Sequence, residues 1–182
     1  MKREVNPFDY AGHICKALPN GILLTTKSDG EVNSMTIGWG TVGIDWSRPV
    51  FIAYVRESRY TKQLLEKNGE FTINVPLDSV DRRILSLCGR KSGRDMDKIQ
   101  KLSLTLEEPL EISVPGIKEL PLTLECKVLY KQKQDLSAIP KDILERFYPV
   151  EDDSLHPGCD RDYHIAYTAQ IIKAYIIEND SE

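Results

Sequence analysis

Short apolar runs separated by turn residues dominate the first half of the chain. Residues 21–27 are rich in Leu and β-branched side chains, and residues 70–75 alternate with a period of two, so both segments predict strands. The continuously apolar run at 49–55 predicts a strand buried on both faces. Ser-Asp-Gly at 28–30 predicts a hairpin turn, followed by one returning strand over 31–43.

Helical patterns lie between and after these strands. The predicted helices cover residues 8–18, 59–67, 78–87, 95–101 and 140–147. Ser58 is the expected N-cap of the second helix, Gly69 lies at its expected end, and Asp95 is the expected N-cap of the fourth. Later strands are predicted at 104–114, 120–134 and 163–178.

Many short strands, hairpin turns and few helical connections predict a mainly β fold, a Greek-key-like closed or partly closed β-barrel with peripheral helices. Regular helices do not separate the strands and the chain has no G-x-G-x-x-G, which disfavours a doubly wound parallel sheet. Because no repeat or low-complexity linker interrupts it, we expect a single domain over residues 1–182.

Composition narrows the class of protein further. Hydrophobic residues make up 41% and charged residues 29% of the chain, as in soluble globular proteins. No apolar run approaches the roughly 20 residues that span a bilayer, and the N-terminus lacks the apolar region of a signal peptide, so we expect a cytoplasmic protein without membrane contact. The net charge of -4 argues against non-specific nucleic-acid binding.

The cysteines do not indicate redox or metal chemistry. They are widely spaced and form no C-x-x-C, so we expect reduced thiols, most of them buried. His-Pro-Gly-Cys at 156–159, even with His164, matches no zinc spacing, and no metal site is expected. The four are Cys15, Cys88, Cys126 and Cys159.

The segment NSMTIGWG at 33–40 is the first of three candidate binding segments. Side chains alternate between the two faces of a strand. One face then carries Asn33, Met35, Ile37 and Trp39, and the other carries Ser34, Thr36, Gly38 and Gly40. The second face is nearly bare and would accept a planar ring, because glycines within a strand often mark the close approach of a ligand. A barrel strand bending at a glycine explains the same pattern.

The segments 56–61 and 88–98 both indicate an anion site. RESRYT opens a helix whose unpaired backbone N–H groups and dipole favour an anion, and Arg59 offers a guanidinium suited to phosphate. In CGRKSGRDMDK, a turn at Gly93 would let Arg94 and Lys98 face one anion. The alternatives are a solvated surface arginine in the first segment and a salt-bridged surface loop in the second.

The order of these segments resembles the flavin reductase-like, FMN-binding split-barrel family, and within it the flavoredoxin-like branch. The resemblance also rests on PVFIAYV at 49–55, EFTINVP at 70–76 and DYHIAYTAQI at 162–171, and covers roughly 18–177. It implies flavin-ring contacts at Asn33, Ser34, Met35 and Thr36. It implies phosphate and ribityl contacts at Ser58, Arg59, Tyr60 and Thr61, and a site closed by Cys88, Gly89, Ser92, Gly93, Arg94 and Lys98.

The resemblance also implies a homodimer with the flavin near the interface, so that some of these residues would serve the partner's flavin. Trp39 and Trp46 would flank the site or pack in the core or interface. His164 is a candidate for contact with a nicotinamide or the flavin edge, although a hydrogen-bonded structural role is favoured. No side-chain acid or base is expected to be catalytic, because a flavin performs the redox chemistry itself.

From these features and the resemblance we predict an FMN-dependent oxidoreductase. It would take a hydride from NADH or NADPH and pass electrons to free flavin or another acceptor. A flavoredoxin-type electron carrier is the first alternative, with the acidic loop at 151–153 steering a basic redox protein partner. A split-barrel binding module without redox activity is the second, and another phosphate-bearing ring or haem is an open alternative to FMN.

Overall fold

The structure, a computed structural model, describes residues 1–149 and 162–178 and is mainly β. Its strands are β1 (Lys2–Glu4), β2 (Ile22–Ser28), β3 (Glu31–Ile37), β4 (Gly40–Asp45), β5 (Arg48–Arg56), β6 (Glu70–Val75), β7 (Leu106–Glu107), β8 (Gly116–Ile117), β9 (Leu122–Lys133) and β10 (His164–Ile177). Its helices are α1 (Ala11–Ala17), α2 (Tyr60–Asn68), α3 (Arg82–Arg90), α4 (Lys98–Leu102) and α5 (Lys141–Phe147), with 3-10 turns at Pro7–Tyr10, Leu18–Asn20 and Leu136–Ala138. None of the helices described is long and apolar enough to cross a membrane.

Eight strands form one antiparallel sheet that wraps around the main core. Its path is β3-β2-β6-β9-β10-β5-β4, with β1 paired to β10 beyond the segment that pairs with β5. Register shifts in the β9–β10 pairing bend these two long strands. Large side chains such as Phe51, Phe71 and Tyr167 are buried in the core. This architecture confirms the predicted mainly β fold with peripheral helices, while the single domain over 1–182 stays a prediction.

The predicted strand over 31–43 is wrong, because the chain breaks at Gly38 and Trp39 into β3 and β4. β3 pairs with β2 at one end of the sheet, and β4 pairs with β5 at the other end. Gly40 lies against Phe51, whose Cζ would be 2.6 Å from an added Cβ. The break at Gly38 and Trp39 therefore takes the chain from one end of the sheet to the other. Glycine is favoured at position 40, where β4 begins to pair with β5, because a side chain there would contact Phe51.

Two further strand predictions need correction. β5 is not buried on both faces, because Ile52 and Tyr54 lie half-buried on its outer side. The strand predicted at 104–114 is reduced to Leu106–Glu107. The buried Glu125 carboxylate accepts the backbone N–H groups that follow, from Leu110 at 2.6 Å, Glu111 at 2.8 Å and Ile112 at 3.2 Å. These donors bind a side chain and are not available to a strand partner.

Candidate functional site

A cavity of about 90 Å³ lies between β3, the start of α2 and the connection from α3 to α4. We call it the anion cradle. Its lining is Asn33, Met35, Ser58, Arg59, Tyr60, Thr61, Cys88, Lys91, Ser92, Gly93, Arg94 and Lys98. Tertiary packing thus brings together most of the residues that the three sequence segments predicted, and adds Lys91. Of the predicted set, only Ser34, Thr36 and Gly89 are absent from this lining.

Four cationic side chains line the cradle, and none of them has a carboxylate partner in the described ranges: Arg59, Lys91, Arg94 and Lys98. Lys98 is only 3% exposed, and burial, together with the Arg59 guanidinium, lowers the pKa of its amine. Arg59 donates to the carbonyl oxygen of Gly89 at 3.2 Å, and Arg94 donates to that of Ser58 at 3.3 Å. A buried positive charge without a counter-ion is costly, so this cavity is suited to an anion such as phosphate.

Polar contacts fix the shape of the cradle. Asn33 Nδ2 donates to Thr61 Oγ1 at 2.8 Å, and the Arg94 guanidinium lies over the Tyr60 ring at 5.3 Å from its centroid. Gly93 lies so close to this framework that an added Cβ would be 2.4 Å from Asn33 Oδ1 and 2.7 Å from Tyr60 Cδ1. Glycine is therefore required at position 93 because the backbone there lies too close to Asn33 and Tyr60 to carry a side chain.

Two predicted helix caps are wrong. Ser58 does not cap α2, because its backbone N–H and its hydroxyl both donate to the Asp162 carboxylate, at 2.9 and 2.7 Å. Arg59 occupies the N-cap position without a side-chain capping bond. α4 is capped by Asp97 and not by Asp95. Asp162 lies more than a hundred positions from Ser58, and local sequence patterns do not show such a contact.

The predicted open face of β3 is partly covered. Ser34 Oγ shares a hydrogen bond with Thr25 Oγ1 at 2.5 Å, and Thr36 Oγ1 donates to the carbonyl oxygen of Leu85 at 2.7 Å. α3 packs against this face, where a Cβ at Gly89 would be in van der Waals contact with Thr36 Cβ at 3.5 Å. The face of alternating hydroxyls and glycines is thus in part a packing surface for a helix, and the binding of a ring on this face stays a prediction.

The backbone edge of β3 remains available for binding. β3 ends the path of the sheet, so only one of its edges pairs with a described strand. Asn33 and Met35 line the cradle beside this edge. The implied contacts of Ser34 and Thr36 with a flavin ring stay predictions, and we expect their backbone groups to make them.

A second cavity of about 160 Å³ adjoins the cradle, and we call it the aromatic cleft. Its lining is Met35, Thr36, Ile37, Gly38, Trp39, Tyr54, Arg56, Arg59 and His164. Met35 and Arg59 line both cavities, so the two lie side by side. Trp39 is 39% exposed, and its ring centroid lies 4.7 Å from that of His164. Tyr54 also lines the cleft, although no local pattern in the predicted strand at 49–55 marks it as a site residue.

His164 combines the predicted structural role with a position on the cleft. It is 7% exposed, and its Nδ1 lies 2.7 Å from the Tyr148 hydroxyl. Burial, followed by the charge of Arg56, lowers the pKa of His164 to about 4. The ring is therefore neutral at pH 7 and cannot act as a proton donor in its imidazolium form.

The lowered pKa predicts acid destabilisation. Because unfolded histidine binds a proton near pH 6.5 and folded His164 only near pH 4, the contribution of His164 to stability falls as pH drops through this window. The expected loss between pH 7 and 4.5 is about 2 kcal/mol. Urea unfolding of wild type and His164→Asn across this range measures it, since the variant lacks this component. If the free energy of unfolding of wild type and of His164→Asn changed equally with pH, the prediction would be contradicted.

Some predicted features lie elsewhere. The acidic loop at 151–153, the segment 156–159 and Cys159 lie outside the described residues. Cys88 and Cys126 are buried as expected, whereas Cys15 is exposed.

Comparison with known proteins agrees with this geometry. Residues 16–181 match the family model described as flavin reductase like domain. An uncharacterized protein of Archaeoglobus fulgidus is 37% identical over 97 residues, which are 53% of this chain and 54% of that protein. The match therefore spans about half the length of this curated relative.

Solved structures share the fold. Flavoredoxin from Methanosarcina acetivorans superposes with a TM-score of 0.59 at 24% identity, covering 87% of this chain and 68% of that one. Nitrilotriacetate monooxygenase component B from Bacillus cereus gives a TM-score of 0.65 at 16% identity, covering 99% and 81%. Together with the sheet topology, these similarities confirm the predicted split β-barrel fold.

Proposed function

Because this chain belongs to the flavin reductase-like family, we propose that it is an FMN-binding oxidoreductase that takes electrons from NADH or NADPH and passes them to free flavin or another acceptor. The observation that carries the proposal is the buried Lys98, which with Arg59 and Arg94 forms a cradle without a carboxylate partner in the part of the chain described. A phosphate would neutralise these charges, and the adjoining cleft is of the kind that receives a ring.

The residues present fit FMN on chemical grounds. Arg59, Arg94 and Lys98 of the cradle would hold the terminal phosphate. Gly93 forms part of the cradle wall and lies so close to Asn33 that there is no room for a Cβ. Asn33 and Met35 would lie beside the ring at the free edge of β3. Bound FMN would supply the electron transfer itself, so the protein's part is binding, orientation and electrostatic tuning.

The same site suits a nicotinamide dinucleotide as electron donor, although the chain has no separate domain for binding it. The aromatic cleft is open to solvent at Trp39, where a nicotinamide could approach. A dinucleotide-binding Rossmann motif is absent from the sequence. We therefore expect the dinucleotide to bind weakly and only while it reduces the protein.

Anaerobic stopped-flow mixing of the FMN-loaded protein with NADH and NADPH tests the function. We expect the flavin absorbance to bleach rapidly with at least one of the two, and the reduced protein to reoxidise when free FMN is added. Protein that stays colourless after incubation with FMN would exclude the proposal. Riboflavin, which lacks the phosphate, is the control ligand and should bind more weakly.

An electron carrier is the second candidate, favoured by the similarity to flavoredoxin. In this case FMN binds equally well but neither nucleotide bleaches it, and only a reduced protein donor does. A binding module without redox activity is disfavoured, because the cradle retains its full set of cations. Mass spectrometry of the released ligand would distinguish FMN from another phosphate-bearing ring or haem.

We also propose a homodimer. Ile44, Trp46 and Tyr130 are large apolar residues that are 72%, 57% and 48% exposed, and the last two contact each other edge to face. Such a surface is typical of a protein interface. Light scattering coupled to gel filtration should give twice the chain mass for wild type and less for Trp46→Ser. A monomeric wild type would exclude the dimer.

A further inference from the structure

A chain of hydrogen bonds determines which ring nitrogen of His164 carries the proton. The backbone N–H of His164 donates to Gln134 Oε1 at 3.2 Å, which identifies this side-chain atom as the amide oxygen. The Tyr148 hydroxyl donates its single proton to the same oxygen at 2.7 Å. The Tyr148 oxygen can therefore only accept from His164 Nδ1, 2.7 Å away, and Nδ1 must carry the proton.

This arrangement leaves Nε2 as the nitrogen available to a ligand. His164 lines the aromatic cleft, and no hydrogen bond from the described residues engages Nε2. Burial and the neighbouring Arg56 charge keep the ring neutral at pH 7, so Nε2 has a lone pair and no proton. The cleft thus presents an acceptor at His164 beside the guanidinium donors of Arg56 and Arg59.

We propose that Gln134 and Tyr148 are positioning residues that hold His164 in the Nδ1–H tautomer, so that Nε2 accepts a hydrogen bond from a ligand N–H. With Arg59 as donor on the same cleft, the matching ligand group has an N–H and a C=O side by side, as in an amide or imide. The tautomer is a property of the protein alone, whereas the ligand group rests on the proposed function. Both the imide edge of a flavin and the carboxamide of a nicotinamide have this chemistry.

Long-range proton–nitrogen NMR of protein labelled with ¹⁵N-histidine reads the tautomer directly. The chain has three histidines, so variants His13→Gln and His156→Gln identify the His164 signals. At pH 7 we expect Nδ1–H to exceed Nε2–H on the order of tenfold, the ratio that one buried hydrogen bond of about 1.4 kcal/mol produces. A majority of Nε2–H in the wild type would overturn the proposal.

Gln134→Leu provides the sharper test. Leucine removes the amide oxygen that accepts the Tyr148 proton, so we expect the Tyr148 hydroxyl to donate to Nδ1 instead, the ring proton to move to Nε2 and the tautomer ratio to invert. Gln134→Glu is the matched control, because it retains oxygens that accept from Tyr148 and should preserve Nδ1–H. A folded Gln134→Leu protein with an unchanged ratio would overturn the positioning role.

Adding the ligands one after the other shows whether the N–H donor to Nε2 is the flavin imide or the nicotinamide carboxamide. We expect the Nε2 resonance to move when FMN saturates the protein if the donor is the flavin imide, or only when NAD⁺ is added afterwards if it is the carboxamide. An Nε2 resonance that neither addition moves, while the absorbance shows bound FMN, would exclude the ligand contact and leave the proposed function standing. An intact tautomer in a protein that binds no FMN would overturn the function alone.

Discussion

Replacing Lys98 with methionine should weaken FMN binding about 30- to 1,000-fold, the loss of about 2–4 kcal/mol expected for one buried charge-assisted contact with phosphate. The same change should stabilise the FMN-free protein. Lys98 is buried without a carboxylate partner in the residues described, and burial disfavours its charge. Methionine fills a similar volume and removes that cost. Fluorescence titration with FMN and thermal unfolding of the ligand-free protein measure the two effects.

The opposite signs of these two effects distinguish a binding role from a structural one. Riboflavin lacks the phosphate, so its affinity should hardly change in Lys98→Met. Lys101→Met, at an exposed position on the same helix, is the matched control and should change neither FMN affinity nor stability by more than a few tenths of a kcal/mol. A Lys98→Met protein that loses riboflavin and FMN affinity equally would contradict a phosphate contact.

Gly93→Ala should abolish measurable FMN binding and lower the free energy of unfolding by about 1–3 kcal/mol, the usual cost of overpacking. The new Cβ would lie 2.4 Å from Asn33 Oδ1 and 2.7 Å from Tyr60 Cδ1, so both side chains must move. Asn33 would then lose its bond to Thr61, and the cradle wall would shift inward. Urea unfolding and FMN titration of the variant measure the two losses.

A matched glycine substitution separates this close contact from a general effect of removing glycine. Gly12 lies in α1 with nothing within 4 Å of an added Cβ. Gly12→Ala should therefore leave FMN binding unchanged and stabilise the protein by about 0.5–1 kcal/mol through helix propensity. If Gly93→Ala behaves like Gly12→Ala, the close approach of Gly93 is not what shapes the cradle.

Local patterns predicted the elements whose signal is contained within a few residues. The alternation of Glu70–Val75 predicted β6 with its bounds, and the turn at Asp29 and Gly30 joins β2 to β3 as expected. Gly69 ends α2 with a φ of +72°, which is where a glycine is favoured. Each of these features depends on backbone preference and period, which neighbouring residues determine.

Features that depend on distant partners were predicted wrongly or missed. Ser58 carries the composition of an N-cap, yet Asp162 binds both its donors. The bare face of β3 suggested an open surface, yet α3 packs over Thr36. The strand predicted near 110 fails because the Glu125 carboxylate takes the backbone donors. In every case a residue far away in sequence competes for the same hydrogen bond or the same surface.

The sequence by itself determined the mainly β class and which segments carry cations and glycines, because these follow from composition and period. Only the tertiary structure decided that Arg59, Arg94 and Lys98 surround one cavity, and which face of β3 borders it. It also decided the protonation state of His164, through burial and the charge of Arg56, and its tautomer, through Gln134 and Tyr148. Burial and hydrogen-bond partners are properties of packed chains, and the pKa and the binding capacity of a side chain depend on both.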